Sequence, residues 1–138
     1  MNTLIGLSAV LLCTIFQGLM LASLVSAFQH AYASKWLNRS FISDAFVLCL
    51  SVTALMLGLG VQVGVWAAVF VWIGEINGWQ TAFYFSLVNF TTLGYGDIVL
   101  SEDYAILGPM EAANGILMLG LSTSFLFKAM SVLIGEDS

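Results

Sequence analysis

The sequence predicts an all-α membrane protein with three transmembrane helices and one shorter re-entrant helix. Hydrophobic residues make up 60% of the 138 residues and charged residues only 8%, and the mean hydropathy is +1.00. Soluble domains carry about 25% charged residues, so the chain is expected to lie in lipid. Two uncharged stretches, Met1 to Ser34 and Ala45 to Gly74, exceed the roughly 20 residues that a spanning helix needs.

The first unit, 1–44, is expected to contain a transmembrane helix from about Thr3 to Phe28 and a polar loop. Short loops rich in lysine and arginine remain on the cytoplasmic side of a membrane. Lys35 and Arg39 lie in this loop, and Lys128 lies near the end of the last span. We therefore expect the N-terminus outside and the loop and the C-terminus in the cytoplasm.

The second unit, 45–138, is expected to have four parts: a long helix 45–74, a short helix 79–91, a loop 92–97 and a last helix 109–134. The short helix is apolar and aromatic but has too few residues to cross the bilayer, which is typical of a re-entrant segment buried in protein. Pro109 is expected to begin the last helix because its fixed φ suits the first helical position.

Aromatic and small residues predict how the long helix 45–74 meets its surroundings. Trp66, Trp72 and Trp79 lie toward one end of this region and predict a belt at the membrane surface. Gly60 and Gly64 predict a site where another helix packs closely.

The segment of the chain with the clearest chemistry is Thr91-Thr92-Leu93-Gly94-Tyr95-Gly96-Asp97. A dehydrated cation needs oxygen ligands in place of water, and a backbone whose successive carbonyls point the same way supplies a column of them. Gly94 and Gly96 adopt positive φ at little cost. Four such segments around an axis would surround an ion with oxygens, so one segment per chain predicts a homotetramer. The expected ligands are the carbonyls of Thr92, Leu93, Gly94 and Tyr95 and the Thr92 hydroxyl.

This segment resembles the filter motif of tetrameric potassium channels, and the similarity extends over Gly74 to Ile134. The resemblance implies that 45–74, 79–91 and 109–134 are the outer, pore and inner helices and that 92–97 is the selectivity filter. Leu93 replaces the commonest valine, which is tolerated because this residue contributes its carbonyl. The implied function is passive, potassium-selective conduction without a cofactor, K⁺ being the permeant ion. Similarity to small prokaryotic channels implies a bacterial inner membrane. The implied K⁺ ligands are Thr92, Leu93, Gly94 and Tyr95.

The same resemblance suggests roles for residues around the filter. Val88 stands where some bacterial relatives have a glutamate paired to the filter aspartate, so that carboxylate pair is absent. Tyr84 is expected to hydrogen-bond Asp97, and these two residues are expected to support the filter together with Val88 and Thr91; the alternative for Tyr84 is an interfacial aromatic residue. Glu111 is expected to interact favourably with the helix dipole, with a role behind the filter as the alternative.

The inner helix is expected to line a cavity below the filter. Gly115 stands where related channels often have a hinge, and close helix packing is the alternative interpretation. Ile116, Leu119, Thr123 and Phe127 fall on one helical face and would line the cavity; contact with lipid or another helix is the alternative.

Several function classes are disfavoured by the sequence. It contains no nucleophile–base pair, metal-ligand cluster or phosphate-binding loop, so no enzyme is predicted. From its length no soluble ligand-binding domain is expected, and a net charge of −5 disfavours nucleic acid. The expected partners are copies of the chain, membrane lipids and K⁺. Two alternatives stay open: a weakly selective cation channel and a non-conducting membrane assembly protein, which would not need the filter glycines.

Overall fold

The computed structural model describes residues 2–33 and 41–134, in which the regular structure is helical. The helices are α1 (Asn2–Ala33), α2 (Phe41–Trp72), α3 (Trp79–Phe90) and α4 (Leu107–Ile134). By length and composition, α1, α2 and α4 can each cross a membrane. The 12 residues of α3 extend only about 18 Å. For the described residues, the prediction of a helical chain with three helices long and apolar enough to span a membrane is therefore confirmed.

The helices on either side of the predicted cytoplasmic loop are longer than the sequence suggested. α1 continues to Ala33, so the first part of that loop is helical. α2 begins at Phe41 and has Asp44 in its first turn, where a carboxylate interacts favourably with the helix dipole. Lys35 and Arg39, on which the predicted orientation depends, lie outside the described residues.

α2 ends at Trp72, two residues before the predicted end, because Gly74 caps it. Gly74 has a φ of +78°. The Glu75 N–H donates to the Phe70 carbonyl at 3.1 Å, and the Gly74 N–H donates to the Val71 carbonyl at 3.1 Å. This is a Schellman motif, in which the residue after the helix is left-handed and glycine is favoured.

α3 packs against both α2 and α4, and its contact with α2 is aromatic. Phe70 meets Phe85 edge-on with ring centroids 5.0 Å apart, and Trp66 stacks on Phe70 at 6.0 Å. Trp66 is fully buried, so its assignment to an interfacial belt was wrong: it lies on the core side of α2. Trp72 and Trp79 are exposed.

The close approach between α1 and α2 occurs at Gly58. A Cβ added to Gly58 would lie 2.0 Å from the Met20 sulfur. At Gly60 it would meet nothing within 4 Å, and at Gly64 it would meet a Trp79 ring carbon at 4.0 Å. The predicted close-packing site at Gly60 and Gly64 is therefore not used within the chain, because a different face of α2 contacts α1.

Buried amides attach α1 to α2 and α4. The Gln62 Nε2 donates to Gln17 Oε1 at 2.7 Å, and Gln17 Nε2 donates to Ser122 Oγ at 2.9 Å. Both glutamines are fully buried. Because an unpaired amide is costly inside a protein in lipid, these hydrogen bonds fix the position of α1 beside the other helices.

The N-terminal end of α1 lies beside the loop that follows the predicted filter segment 92–97, which is called the filter below. Asn2 Nδ2 donates to the Asp103 main-chain carbonyl at 2.6 Å. α4 begins at Leu107, two residues earlier than predicted. Pro109 is its third residue, within the first turn, where a missing N–H leaves no intrahelical hydrogen bond unmade.

Candidate ion-conducting site

The loop after α3 alternates in backbone conformation. The φ angles are +61° at Thr92, +58° at Gly94 and +74° at Gly96. Every second residue from Thr92 to Gly96 therefore has positive φ, as expected for the two glycines from the sequence. Such alternation is the backbone geometry required if successive carbonyl groups are to face one side.

Thr92 is the residue of this loop whose conformation the sequence did not predict. Among the described residues it is the only one other than glycine with positive φ. That conformation is unfavourable by about 1–2 kcal/mol for a residue with a Cβ. The Thr92 N–H donates to the Asn89 carbonyl at 2.8 Å, which helps to hold it. Strained backbone of this kind clusters at functional sites. A threonine in the sequence does not indicate positive φ, so this strain could not be predicted.

The Val88 carbonyl anchors the start of the filter to α3. It accepts hydrogen bonds from the Leu93 N–H at 2.9 Å and from the Gly94 N–H at 3.3 Å. Thr91 Oγ1 donates to the Leu87 carbonyl at 2.7 Å, which extends the last turn of α3. The contact of Val88 with the filter is thus made by its main chain, while its side chain is buried.

Tyr84 contacts the far end of the filter. Its Oη donates to Asp97 Oδ2 at 2.8 Å, the hydrogen bond expected from the sequence. This hydrogen bond raises the pKa of Tyr84, because Asp97 accepts the phenolic proton. Both side chains are exposed in the single chain.

A second contact fixes the loop beyond the filter, and no sequence pattern indicated it. The Ser101 N–H donates to Glu75 Oε2 and the Ser101 Oγ donates to Glu75 Oε1, both at 2.8 Å. Glu75 follows the glycine cap of α2. The loop is therefore attached to the end of α2 by both oxygens of one carboxylate.

α4 places a carboxyl group against α3. Glu111 is fully buried, and its Oε1 shares a hydrogen bond with Ser86 Oγ. Ser86 Oγ also contacts the Val63 carbonyl of α2 at 2.9 Å. The Asn89 side chain interacts with the Glu111 carboxyl group as well. The expectation that Glu111 serves mainly the helix dipole is therefore wrong, since the residue is buried against the helix that precedes the filter.

Gly115 packs against the end of α3. A Cβ at this position would lie 1.9 Å from the Phe90 carbonyl oxygen and 2.7 Å from the Phe90 carbonyl carbon. Of the two interpretations of Gly115, the structure thus displays the close packing, and the hinge stays a prediction.

The four predicted cavity residues share the face of α4 that the chain leaves uncovered. Ile116 is 58% exposed and Phe127 is 72% exposed, and Leu119 and Thr123 are exposed between them. The opposite face is buried against the other helices; it contains Leu107, Glu111, Asn114, Met118 and Ser122.

Three helices that are long and apolar enough to cross a membrane indicate an integral membrane protein. The sequence profile of a family described as "Ion channel" matches residues 58–132, more than half of the chain. The chain belongs to this ion channel family. The match covers the second half of α2, all of α3 and the filter, and most of α4. No curated protein and no solved structure matches the chain.

Proposed function

We propose that the chain is a subunit of a potassium-selective channel that conducts K⁺ passively. The observation that carries this proposal is the positive φ at Thr92, Gly94 and Gly96, because a column of carbonyl ligands needs alternation of this kind. Selectivity filters for K⁺ replace the hydration shell of the ion with backbone carbonyl oxygens. The proposed K⁺ ligands are the carbonyls of Thr92, Leu93, Gly94 and Tyr95 and the Thr92 hydroxyl.

The proposed assembly is a homotetramer. A single chain supplies one filter segment, and residues 91–97 are all exposed in it. Tyr95 is 66% exposed and Leu93 is 55% exposed in the single chain. Four copies around one axis would surround the ion and cover these residues. They would also enclose the uncovered face of α4 as the cavity below the filter.

The proposed orientation places the filter entrance and the N-terminus on the outside. The Asn2–Asp103 hydrogen bond supports a common side for these two regions. Lys128, near the end of α4, favours the cytoplasm for the C-terminus under the positive-inside rule. α3 would then enter the membrane from outside as a re-entrant pore helix. Resemblance to small prokaryotic channels favours a bacterial inner membrane.

Ion passage would proceed without an energy source other than the gradient. K⁺ would exchange water for carbonyl oxygens at the Asp97 end and move between adjacent sites as further ions enter. Selectivity then depends on how firmly the protein holds the ligands. The contacts at Val88 and Tyr84 support the two ends of the filter from α3.

Flux through purified protein in liposomes tests the proposal. We expect barium-sensitive K⁺ flux that greatly exceeds Na⁺ flux and that is lost in Gly94→Ala, since Gly94 has positive φ. Gly18→Ala is the matched control: a Cβ at Gly18 of α1 meets nothing within 4 Å, so flux should persist. Equal Na⁺ and K⁺ flux would indicate a weakly selective cation channel. Full flux in Gly94→Ala would overturn the filter assignment.

A further inference from the structure

The buried carboxyl group of Glu111 joins three helices. Its Oε1 meets Ser86 of α3, and the same serine oxygen meets the Val63 carbonyl of α2. The polar side chains that interact with this carboxyl group, Ser86 and Asn89, are both neutral. Its second oxygen, Oε2, is buried without a hydrogen-bond partner. An ionised carboxylate here would leave a charged oxygen unpaired at membrane depth, which is strongly unfavourable.

A count of hydrogens at Ser86 identifies the donor. A serine hydroxyl has one hydrogen. Ser86 Oγ lies within hydrogen-bond distance of two oxygen atoms, the Val63 carbonyl at 2.9 Å and Glu111 Oε1. A carbonyl only accepts, so the serine hydrogen is directed to Val63. The hydrogen between Ser86 and Glu111 must then belong to Glu111.

We propose that Glu111 is a positioning residue for α3: a protonated carboxylic acid that donates to Ser86 and so links α3 to α2 and α4. The link acts together with the contact between Gly115 and Phe90. The two contacts are four residues apart on each helix: Glu111 and Gly115 on α4, and Ser86 and Phe90 on α3. α4 therefore holds α3 at two successive turns, directly before the filter.

The filter depends on where these two turns lie. The Val88 carbonyl, between the two contacts, accepts from the Leu93 and Gly94 N–H groups. A displacement of α3 would move this acceptor and with it the first ligands of the ion. The effect on selectivity rests on the proposed function, whereas the protonation of Glu111 does not.

Infrared difference spectroscopy of the protein in lipid at neutral pH tests the protonation without any ion flow. The parent minus Glu111→Gln spectrum should contain the carbonyl band of a protonated acid. Ser86→Ala should shift that band to higher frequency, because the acid loses its acceptor. Glu102→Gln, at an exposed loop position, is the control and should remove carboxylate bands only. Carboxylate bands in the Glu111→Gln difference, or an acid band unmoved by Ser86→Ala, would overturn the proposal.

The permeability ratio of K⁺ to Na⁺ tests the positioning role. Glu111→Gln keeps a neutral donor of the same shape, so its ratio should equal that of the parent. Ser86→Ala and Glu111→Leu should each lower the ratio, because each removes the hydrogen bond that links α3 to α4. An equal loss in Glu111→Gln and Glu111→Leu would overturn the role of a neutral acid. An acid band in a protein without K⁺ selectivity would refute the proposed function and leave the protonated Glu111 supported.

Discussion

Replacing Gly115 with alanine tests whether α4 fixes the end of α3. The new Cβ would lie 1.9 Å from the Phe90 carbonyl oxygen, 2.7 Å from its carbonyl carbon and 3.1 Å from its Cα. Real Cβ atoms essentially never approach another heavy atom closer than 3.0 Å. The two helices must therefore separate by about 1.1 Å, the difference between 3.0 Å and 1.9 Å. Because the contacted atoms belong to the main chain, no side-chain rotation relieves the clash.

The expected result is a less stable protein with a less selective pore. Overpacking of this kind lowers the free energy of unfolding by about 1–3 kcal/mol. The better helix propensity of alanine recovers at most about 1 kcal/mol. We therefore expect a net loss of up to about 3 kcal/mol. Since Phe90 directly precedes the filter segment, the ratio of K⁺ to Na⁺ permeability should fall as well.

Gly120→Ala on the same helix is the matched control. A Cβ at Gly120 meets nothing within 4 Å, so this substitution should leave the free energy of unfolding unchanged or raise it by up to about 1 kcal/mol. Denaturant unfolding in detergent micelles, followed by tryptophan fluorescence, measures both variants, and liposome flux measures their selectivity. The reasoning fails if Gly115→Ala is as stable and as selective as Gly120→Ala.

Two further substitutions test contacts at the filter and at α1. Tyr84→Phe removes the hydrogen bond to Asp97 and should lower the permeability ratio. Since that bond raises the pKa of Tyr84, the phenol keeps its proton at any pH below its ordinary pKa of about 10. The hydrogen bond to Asp97 is lost only at a higher pH, where the phenol ionises. The effect of Tyr84→Phe should therefore be equal at neutral pH and at about pH 9, and a strong pH dependence in that range would contradict this. Gln17→Ala leaves the buried Gln62 amide without its acceptor and should lower the free energy of unfolding by about 1–3 kcal/mol. Adding Gln62→Leu to the Gln17→Ala variant should recover part of that loss, as measured by thermal unfolding. If the losses of the two single variants simply add in the double variant, Gln17 and Gln62 are not coupled.

The sequence predicted the spanning helices and the glycine conformations because both follow from local composition. A chain with 60% hydrophobic residues and long uncharged stretches must place those stretches in lipid. Gly94 and Gly96 alternate with larger residues, and glycine is the residue for which positive φ is inexpensive. Both inferences need no knowledge of tertiary contacts.

The remaining features depend on contacts between helices, which the sequence does not display. A carboxylate near the start of a helix usually faces solvent and the helix dipole, so nothing in the pattern indicated that Glu111 is buried beside Ser86. Gly115 admitted a hinge and a close contact equally, and only the Phe90 backbone distinguishes them. Trp66 looked like an interfacial residue until its stacking on Phe70 placed it in the core.

The bi-ionic reversal potential, with K⁺ on one side of a planar bilayer and Na⁺ on the other, tests the central claim most directly. A filter with the proposed carbonyl ligands predicts a large reversal potential, with the sign set by K⁺ permeability; these ligands belong to Thr92, Leu93, Gly94 and Tyr95. In Gly94→Ala, both the current and the reversal potential should be reduced or abolished. A reversal potential that corresponds to equal permeability of K⁺ and Na⁺ in the parent protein would contradict the account.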